Sequence, residues 1–168
     1  ALGFCSLLTF AQNPSPELLN PKNHALVLID HEGQMAFATH SISMNELRQN
    51  TGLVAGASKI FKVPTVVTTV AEKSFSGPVF PEIQEFYPET SSGYIDRTTM
   101  NTWEDVHAHK AILNAAGNNK KIVMAGLWTS VCIVGPVLSA LTDGYDVYVI
   151  TDASGDITAE AHNQSISR

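Results

Sequence analysis

Three residues whose side chains could carry out covalent chemistry together stand at the ends of short apolar segments. Asp30 follows the apolar residues 25–29, Arg97 follows residues 94–96, and Cys132 follows the apolar run that ends at Gly126. A cysteine nucleophile needs a base for its proton, a positive charge near the sulfur and amide donors for the oxyanion. Asp30, Arg97 and the backbone around Cys132 can supply these groups, so the set predicts acyl transfer by a cysteine.

The surroundings of Cys132 favour a nucleophile over a packing residue. Residues 120–126 begin with two lysines and continue as an apolar strand to Gly126, and residues 133–141 form an apolar, helix-like segment after the cysteine. Unpaired amides and the positive end of the helix dipole would then meet the sulfur, so we expect a lowered thiol pKa. The alternative for Cys132 taken alone is a small buried hydrophobic residue.

Strand-like and helix-like segments alternate from His24 onward, which predicts a three-layer α/β/α, Rossmann-like fold: a parallel sheet with helices on both faces. The predicted strands are 25–29, 65–70, 94–97, 120–126 and 145–150, and the predicted helices are 43–62, 81–86, 101–116, 133–141 and from 157 onward. The carboxyl ends of parallel strands lie at one edge of a sheet, where such folds bind ligands. We therefore expect this edge to gather Asp30, Glu72, Arg97, Cys132 and Asp152.

Composition narrows the classes of partner. The 168 residues are 44% hydrophobic, which fits one globular domain with a sizeable core. Ten basic against 16 acidic residues give a net charge of -6 without a basic run, so we expect a small-molecule substrate and no nucleic acid. Cys5 and Cys132 are far apart in sequence, and no resolving cysteine stands near Cys132, so a disulfide framework and a redox role are both disfavoured.

The predicted domain boundary lies at His24. Residues 1–23 are expected to be an N-terminal arm or the remnant of a secretory leader, because residues 1–11 are apolar and uncharged and residues 12–16 read Gln-Asn-Pro-Ser-Pro. The apolar run is too short to span a membrane. Residues 24–168 form the predicted hydrolase domain, whose last helix carries no C-terminal signal, so we expect the natural chain to continue.

Five stretches in order resemble the isochorismatase-like cysteine hydrolases, especially the YcaC-like branch of that family: residues 25–31, 64–69, 97–103, 125–132 and 146–153. The resemblance implies that Asp30 and Cys132 are the catalytic aspartate and cysteine. It also implies a cis peptide at Leu127–Trp128, with the amides of Trp128 and Cys132 as the oxyanion hole. A cytoplasmic homo-oligomer is implied as well, with export to the periplasm as the alternative if residues 1–11 are a leader.

Three positions depart from the usual pattern of these relatives. Arg97 replaces the usual lysine, and an arginine stays protonated, so it can stabilise a thiolate or oxyanion but cannot shuttle a proton. Glu32 and Ser130 stand where relatives often have glutamine and glutamate, beside the expected site. The residues expected to line the substrate pocket are His31, Glu72, Asn101, Trp103 and Trp128.

Metal and cofactor chemistry is not expected. Relatives that hydrolyse nicotinamide bind a metal through histidines after the second strand, and residues 70–75 contain no histidine.

The expected reaction is cleavage of a small amide or related C–N bond through a Cys132 thioester, with Asp30 as the general base. The alternative is a non-catalytic oligomeric binding or structural member with a vestigial site, in which Asp30 caps a turn and Arg97 forms an ordinary ion pair.

Overall fold

The computed structural model describes residues 15–168, in which a five-stranded parallel sheet has the strand order β3-β2-β1-β4-β5. The strands are β1 His24–Ile29, β2 Thr65–Val70, β3 Ile95–Arg97, β4 Lys121–Gly126 and β5 Asp146–Val149. The predicted strands agree with these within two residues at each end. The leader-like run 1–11 and Cys5 lie outside the described residues.

Helices connect the strands in the predicted alternation. They are α1 Gly33–Phe37, α2 Met44–Ile60, α3 Pro81–Gln84, α4 Glu89–Ser92, α5 Val106–Ala116, α6 Val134–Thr142 and α7 Ala159–Ile166. Two π-helical turns, Glu72–Ser76 and Thr129–Ile133, follow β2 and β4. Both turns therefore lie at the carboxyl edge of the sheet, where the site residues were expected.

Local capping explains one correct helix start and one wrong one. Ser43 Oγ accepts from Glu46 N–H at 3.2 Å and so caps α2, which agrees with the helix predicted from residue 43. The helix predicted from Asn101 was wrong at its start, because the Asn101 side chain caps only a 3₁₀ turn by accepting from Trp103 N–H. Asp105 accepts from the next free amides, so α5 begins at Val106.

Apolar side chains on both faces of the sheet hold the three layers together. Along β1, Leu26 and Leu28 join a core under α2 and α3, whereas Val27 and Ile29 join a core under α5 and α6. Successive strand residues point to opposite faces, so an unbroken apolar strand can fill both cores at once. The three-layer prediction is confirmed.

Strand register places the expected catalytic residues on neighbouring strand ends. Ile29 pairs with both Thr68 and Gly126, and Val70 pairs with Arg97. A Cβ on Gly126 would lie 2.2 Å from Ile29 O, so only glycine permits this approach of β4 to β1. The residues after β1 and β4 consequently start side by side.

Within residues 15–168, no helix combines the length and apolar character needed to cross a membrane.

Candidate active site

A buried ion pair forms the centre of the candidate site. Asp30 follows β1 in the left-handed region, with φ of 56°, and Arg97 ends β3. Arg97 Nη2 donates to Asp30 Oδ2 at 2.6 Å, and both side chains are fully buried. Burial raises the pKa of Asp30 to about 6, although the Arg97 charge opposes the shift. Asp30 is therefore ionised at neutral pH and can accept a proton.

Cys132 lies in the π-helical turn after β4, next to this pair. Its side chain is 3% exposed and belongs to the core under α5 and α6. Burial, followed by the negative charge of Asp30, raises the pKa of the Cys132 thiol to about 12. The structure thus brings Asp30, Arg97 and Cys132 together, with the sulfur held as a thiol.

The expected lowering of the Cys132 pKa was wrong in direction. The amides of Val131 and Cys132 both donate to Trp128 O, at 3.0 and 2.9 Å, so they are not directed at the sulfur. Burial of the thiol therefore raises its pKa by more than the start of the following helix lowers it. A resting thiolate is not part of this site, and any nucleophile must be generated by proton transfer.

A segment after β5 anchors the nucleophile turn. Ser130 N–H donates to Asp156 Oδ2 at 2.6 Å, and Thr129 N–H donates to Gly155 O at 2.9 Å. Asp156 is 1% exposed, so its carboxylate is a buried cap for the turn that carries Cys132. Sequence reasoning missed this residue. Its signal was an aspartate directly after Gly155, on a loop that follows a predicted strand.

Asp152, which was expected at the site edge, lies elsewhere. Its side chain is exposed, and its backbone oxygen accepts from Asn50 Nδ2 at 2.9 Å. Asp152 belongs to the 3₁₀ turn Thr151–Ala153, which follows β5. The aspartate that anchors the nucleophile turn is Asp156, four residues further along the chain.

One of the two predicted oxyanion donors is free. The Leu127–Trp128 peptide is cis, as the resemblance implied. In residues 15–168, no acceptor is found for Trp128 N–H, whereas Cys132 N–H already donates to Trp128 O. The Trp128 amide is the donor that this conformation offers to a ligand.

Three of the five expected pocket residues have structural roles. His31 is 1% exposed, its Nε2 contacts Ala153 O at 2.9 Å, and burial lowers its pKa to about 4. Trp103 is 6% exposed and donates from Nε1 to Asp143 Oδ2 at 2.8 Å. Asn101 accepts from the Trp103 amide and donates to Ser139 Oγ. Packing and capping partners use the polar atoms of Trp103 and Asn101, whereas His31 Nδ1 is buried without a partner in residues 15–168.

The other two lie beside the site. Glu72 is half-buried at the start of the turn after β2, where burial raises its pKa, and its N–H donates to Asp96 Oδ1 at 3.0 Å. Trp128 is half-buried, and its Nε1 donates to Met35 O at 3.0 Å. The indole is fixed by α1, so the ring has one orientation next to the free Trp128 amide.

Glu32, which the sequence placed beside the expected site, is a buried carboxyl group close to Asp30. Its side chain is fully buried, and Oε2 accepts from Val70 N–H at 2.9 Å. Burial, followed by the nearby carboxylates, raises its pKa to about 8. Burial thus raises the pKa of Glu32 further than that of the neighbouring Asp30, which the Arg97 charge opposes.

Residues 15–168 contain no cluster of three or more histidine, cysteine, aspartate or glutamate side chains arranged to hold an ion.

The sheet order and the aspartate–arginine–cysteine set at its carboxyl edge define an isochorismatase-type α/β domain. The model of the isochorismatase domain matches residues 24–168, and the chain belongs to that family.

Among individual proteins, the chain is similar to the probable hydrolase YcaC of Escherichia coli K12, with 34% identity over 138 residues. That match covers 82% of this chain but 64% of the E. coli protein, so the chain spans less than two thirds of that relative.

Two solved structures agree with this relationship. The YcaC gene product of E. coli, described as an octameric hydrolase of unknown specificity, superimposes with a TM-score of 0.84 at 30% identity, covering 94% of this chain and 75% of that one. YcaC of Pseudomonas aeruginosa, with hexane-2,5-diol and covalent acrylamide, gives the same TM-score and identity over 92% and 75%. The YcaC-like resemblance is confirmed.

Proposed function

We propose that this protein is a cysteine hydrolase that cleaves a small amide or a related C–N bond through a Cys132 thioester. The single observation that carries the proposal is the buried Asp30–Arg97 pair placed against the Cys132 thiol. An ionised carboxylate beside a protonated thiol is the arrangement of a general base with its nucleophile. Family membership and the hydrolase name of the E. coli relative support the reaction class.

The first half of the reaction forms the thioester. Asp30 takes the thiol proton as the Cys132 sulfur attacks the carbonyl carbon, because burial disfavours a free thiolate. The Trp128 N–H donates to the oxygen that gains negative charge in the tetrahedral intermediate. The C–N bond then breaks, and protonated Asp30 gives its proton to the leaving nitrogen.

The second half releases the acid. Asp30, again a carboxylate, takes a proton from water while the water oxygen attacks the thioester carbon. The C–S bond breaks, and Asp30 returns the proton to sulfur, which restores the thiol. Arg97 remains protonated throughout and keeps the pKa of Asp30 low enough for it to act as a base.

A group that forms a covalent bond with acrylamide has a precedent in a similar protein. The YcaC structure from P. aeruginosa contains covalently bound acrylamide, which is an unsaturated primary amide. We therefore take acrylamide as the first probe for Cys132.

We also propose a homo-oligomer for this chain, supported by the octamer described for E. coli YcaC.

A second candidate function is a binding or structural role with a vestigial site. Its support is the burial of the sulfur, 3% exposed, together with the raised pKa of its thiol. An arginine that cannot shuttle protons is also compatible with a site that has lost turnover.

A panel of small amides with the full chain separates the two functions. The chain has two cysteines, so Cys5→Ala leaves Cys132 as the single thiol and is the matched control for Cys132→Ala. Ammonia release should occur with the wild type and Cys5→Ala and disappear in Cys132→Ala. Equal hydrolysis by Cys132→Ala contradicts the proposal, and a wild type that neither hydrolyses amides nor reacts with acrylamide at Cys132 favours the binding role.

A further inference from the structure

Glu32 is a carboxyl group enclosed without a cation of its own. Its side chain is fully buried at the end of β1, and its backbone N–H donates to Asp30 O at 2.8 Å. One carboxyl oxygen, Oε2, accepts from Val70 N–H, and the other, Oε1, has no partner within residues 15–168. A buried, unpartnered carboxylate oxygen is costly, so the group must either lose its charge or meet a donor.

The charges around Glu32 favour the loss of its own charge. The titratable groups that act on it are Asp30 after β1, Asp96 in β3 and Glu72 after β2, and all three are acidic. The nearby cation, Arg97, is already used, because it donates to Asp30 Oδ2 and to Thr99 O. Burial and all three of these acidic groups therefore disfavour a second buried negative charge, and the Val70 N–H is the contact that favours it.

A neutral carboxylic acid matches the observed contacts. Its carbonyl oxygen accepts from Val70 N–H, and its hydroxyl becomes a donor at the unpartnered Oε1 position. Asp30 Oδ1 and Arg97 Nε are buried and unpartnered as well, within the described chain. The site thus offers two donors and one acceptor that no residue of the described fold satisfies.

We propose that Glu32 stays a neutral carboxylic acid in the folded protein and that its hydroxyl is a hydrogen-bond donor of the active site, which recognises an acceptor atom of the substrate. The donor role rests on the proposed function, because that function places the substrate beside Asp30. The substrate class is thereby narrowed to small molecules with a hydrogen-bond acceptor near the carbon that Cys132 attacks; in the acrylamide probe that acceptor is the carbonyl oxygen. Recognition is lost when Glu32 ionises.

The charge state is tested by the pH dependence of unfolding. Because folding raises the pKa of Glu32 to about 8, its contribution to stability is present below the unfolded value and is lost as pH rises through about 8. Glu32→Gln keeps the size and the donor–acceptor pair but cannot titrate, so it should lack the loss of stability that the wild type shows between about pH 5 and about pH 8. Glu85→Gln, at an exposed glutamate, is the matched control and should follow the wild type.

The same comparison gives the result that would overturn the proposal. If wild type and Glu32→Gln lose stability in parallel from about pH 5 to about pH 9, Glu32 is already ionised and the proposal is wrong. Should Glu32→Gln fail to fold, carboxyl carbon NMR of the wild type labelled at glutamate replaces it. One glutamate signal should titrate near pH 8 and persist in Glu72→Gln; the absence of such a signal overturns the proposal.

The donor role is tested by acrylamide labelling of Cys132. Between about pH 7 and about pH 9, Glu32 should ionise and lose its donor, whereas the glutamine of Glu32→Gln keeps one. The labelling efficiency of the wild type divided by that of Glu32→Gln should therefore fall about tenfold, which is the effect expected for the loss of one hydrogen bond. A constant ratio overturns the donor role. If Cys132 is not labelled in either protein, the proposed function and the donor role both fail, while the unfolding comparison still decides the charge state.

Discussion

The two halves of the site differ in how completely their polar groups are satisfied. In the nucleophile turn, Thr129–Ile133, the amides of Thr129, Ser130, Val131 and Cys132 each have an acceptor. In the carboxylate edge, which we define as Asp30, Glu32, Asp96 and Arg97, one polar atom each of Asp30, Glu32 and Arg97 is buried without a partner in the described chain.

The difference indicates that the two halves of the site have different roles. Native proteins leave few buried polar atoms unpaired, and those that remain often mark functional sites. The nucleophile turn is fixed by the fold alone, whereas the carboxylate edge has unused hydrogen-bonding capacity. We infer that the turn positions the sulfur and that the carboxylate edge handles protons and contacts the ligand.

Breaking the ion pair should produce the largest effect on stability. Arg97→Met leaves Asp30 buried and unpaired, so we expect a loss of about 3–5 kcal/mol in the free energy of unfolding. Arg48→Met is the matched control, because it breaks the Arg48–Glu82 pair, whose side chains are 46% and 27% exposed, and should cost at most about 1 kcal/mol. Equal losses in urea titrations would show that the buried pair has no special role.

Separating the two halves should cost nearly as much. In Gly126→Ala the new methyl group meets Ile29 O, so β4 must move away from β1, and we expect about 3 kcal/mol of destabilisation. Gly33→Ala has open space at the same distance and should be close to neutral. Urea denaturation measures both, and a tolerated Gly126→Ala would contradict the close approach.

Loosening the nucleophile turn should have an intermediate effect. Asp156→Ala removes the acceptor of Ser130 N–H, which costs about 1–3 kcal/mol and should slow acrylamide labelling of Cys132. Asp152→Ala changes an exposed side chain and should alter neither the melting curve nor the labelling rate. If the two variants label at the same rate, Asp156 does not position the sulfur.

A change outside both halves should have the smallest effect. Trp103→Phe keeps the ring but loses the bond from Nε1 to Asp143, so we expect about 1 kcal/mol of destabilisation. The labelling rate of Cys132 should stay at the wild-type value. A slower rate at unchanged stability would return Trp103 to the substrate pocket, where the sequence had placed it.

Sequence patterns predicted the fold and the proximity of Asp30, Arg97 and Cys132, because both depend on local features. Each of Asp30, Arg97 and Cys132 follows a strand-like segment, and parallel strands bring such residues to one edge. The anchoring role of Asp156 could not be predicted, because its partner, Ser130, is distant in sequence and meets it only in the folded chain.

The errors have the same physical origin. The direction of the Cys132 pKa depends on burial, which a local pattern does not reveal, and the helix dipole alone predicted the opposite sign. Asn101 and Trp103 were expected in the pocket, but the structure shows capping and packing partners for their polar atoms. Glu32 was identified as an unusual residue, whereas its burial required the structure.

The most direct test of whether Asp30 is the base for the Cys132 thiol is the pH dependence of acrylamide labelling. The labelling rate of Cys132 is measured as a function of pH in the wild type and in Asp30→Asn. The wild-type rate should rise through about pH 6 as Asp30 ionises. Asp30→Asn should lack that rise and react at least about 100-fold more slowly near pH 7, the usual contribution of a general base. Labelling of Asp30→Asn at the wild-type rate over the same pH range would contradict the account.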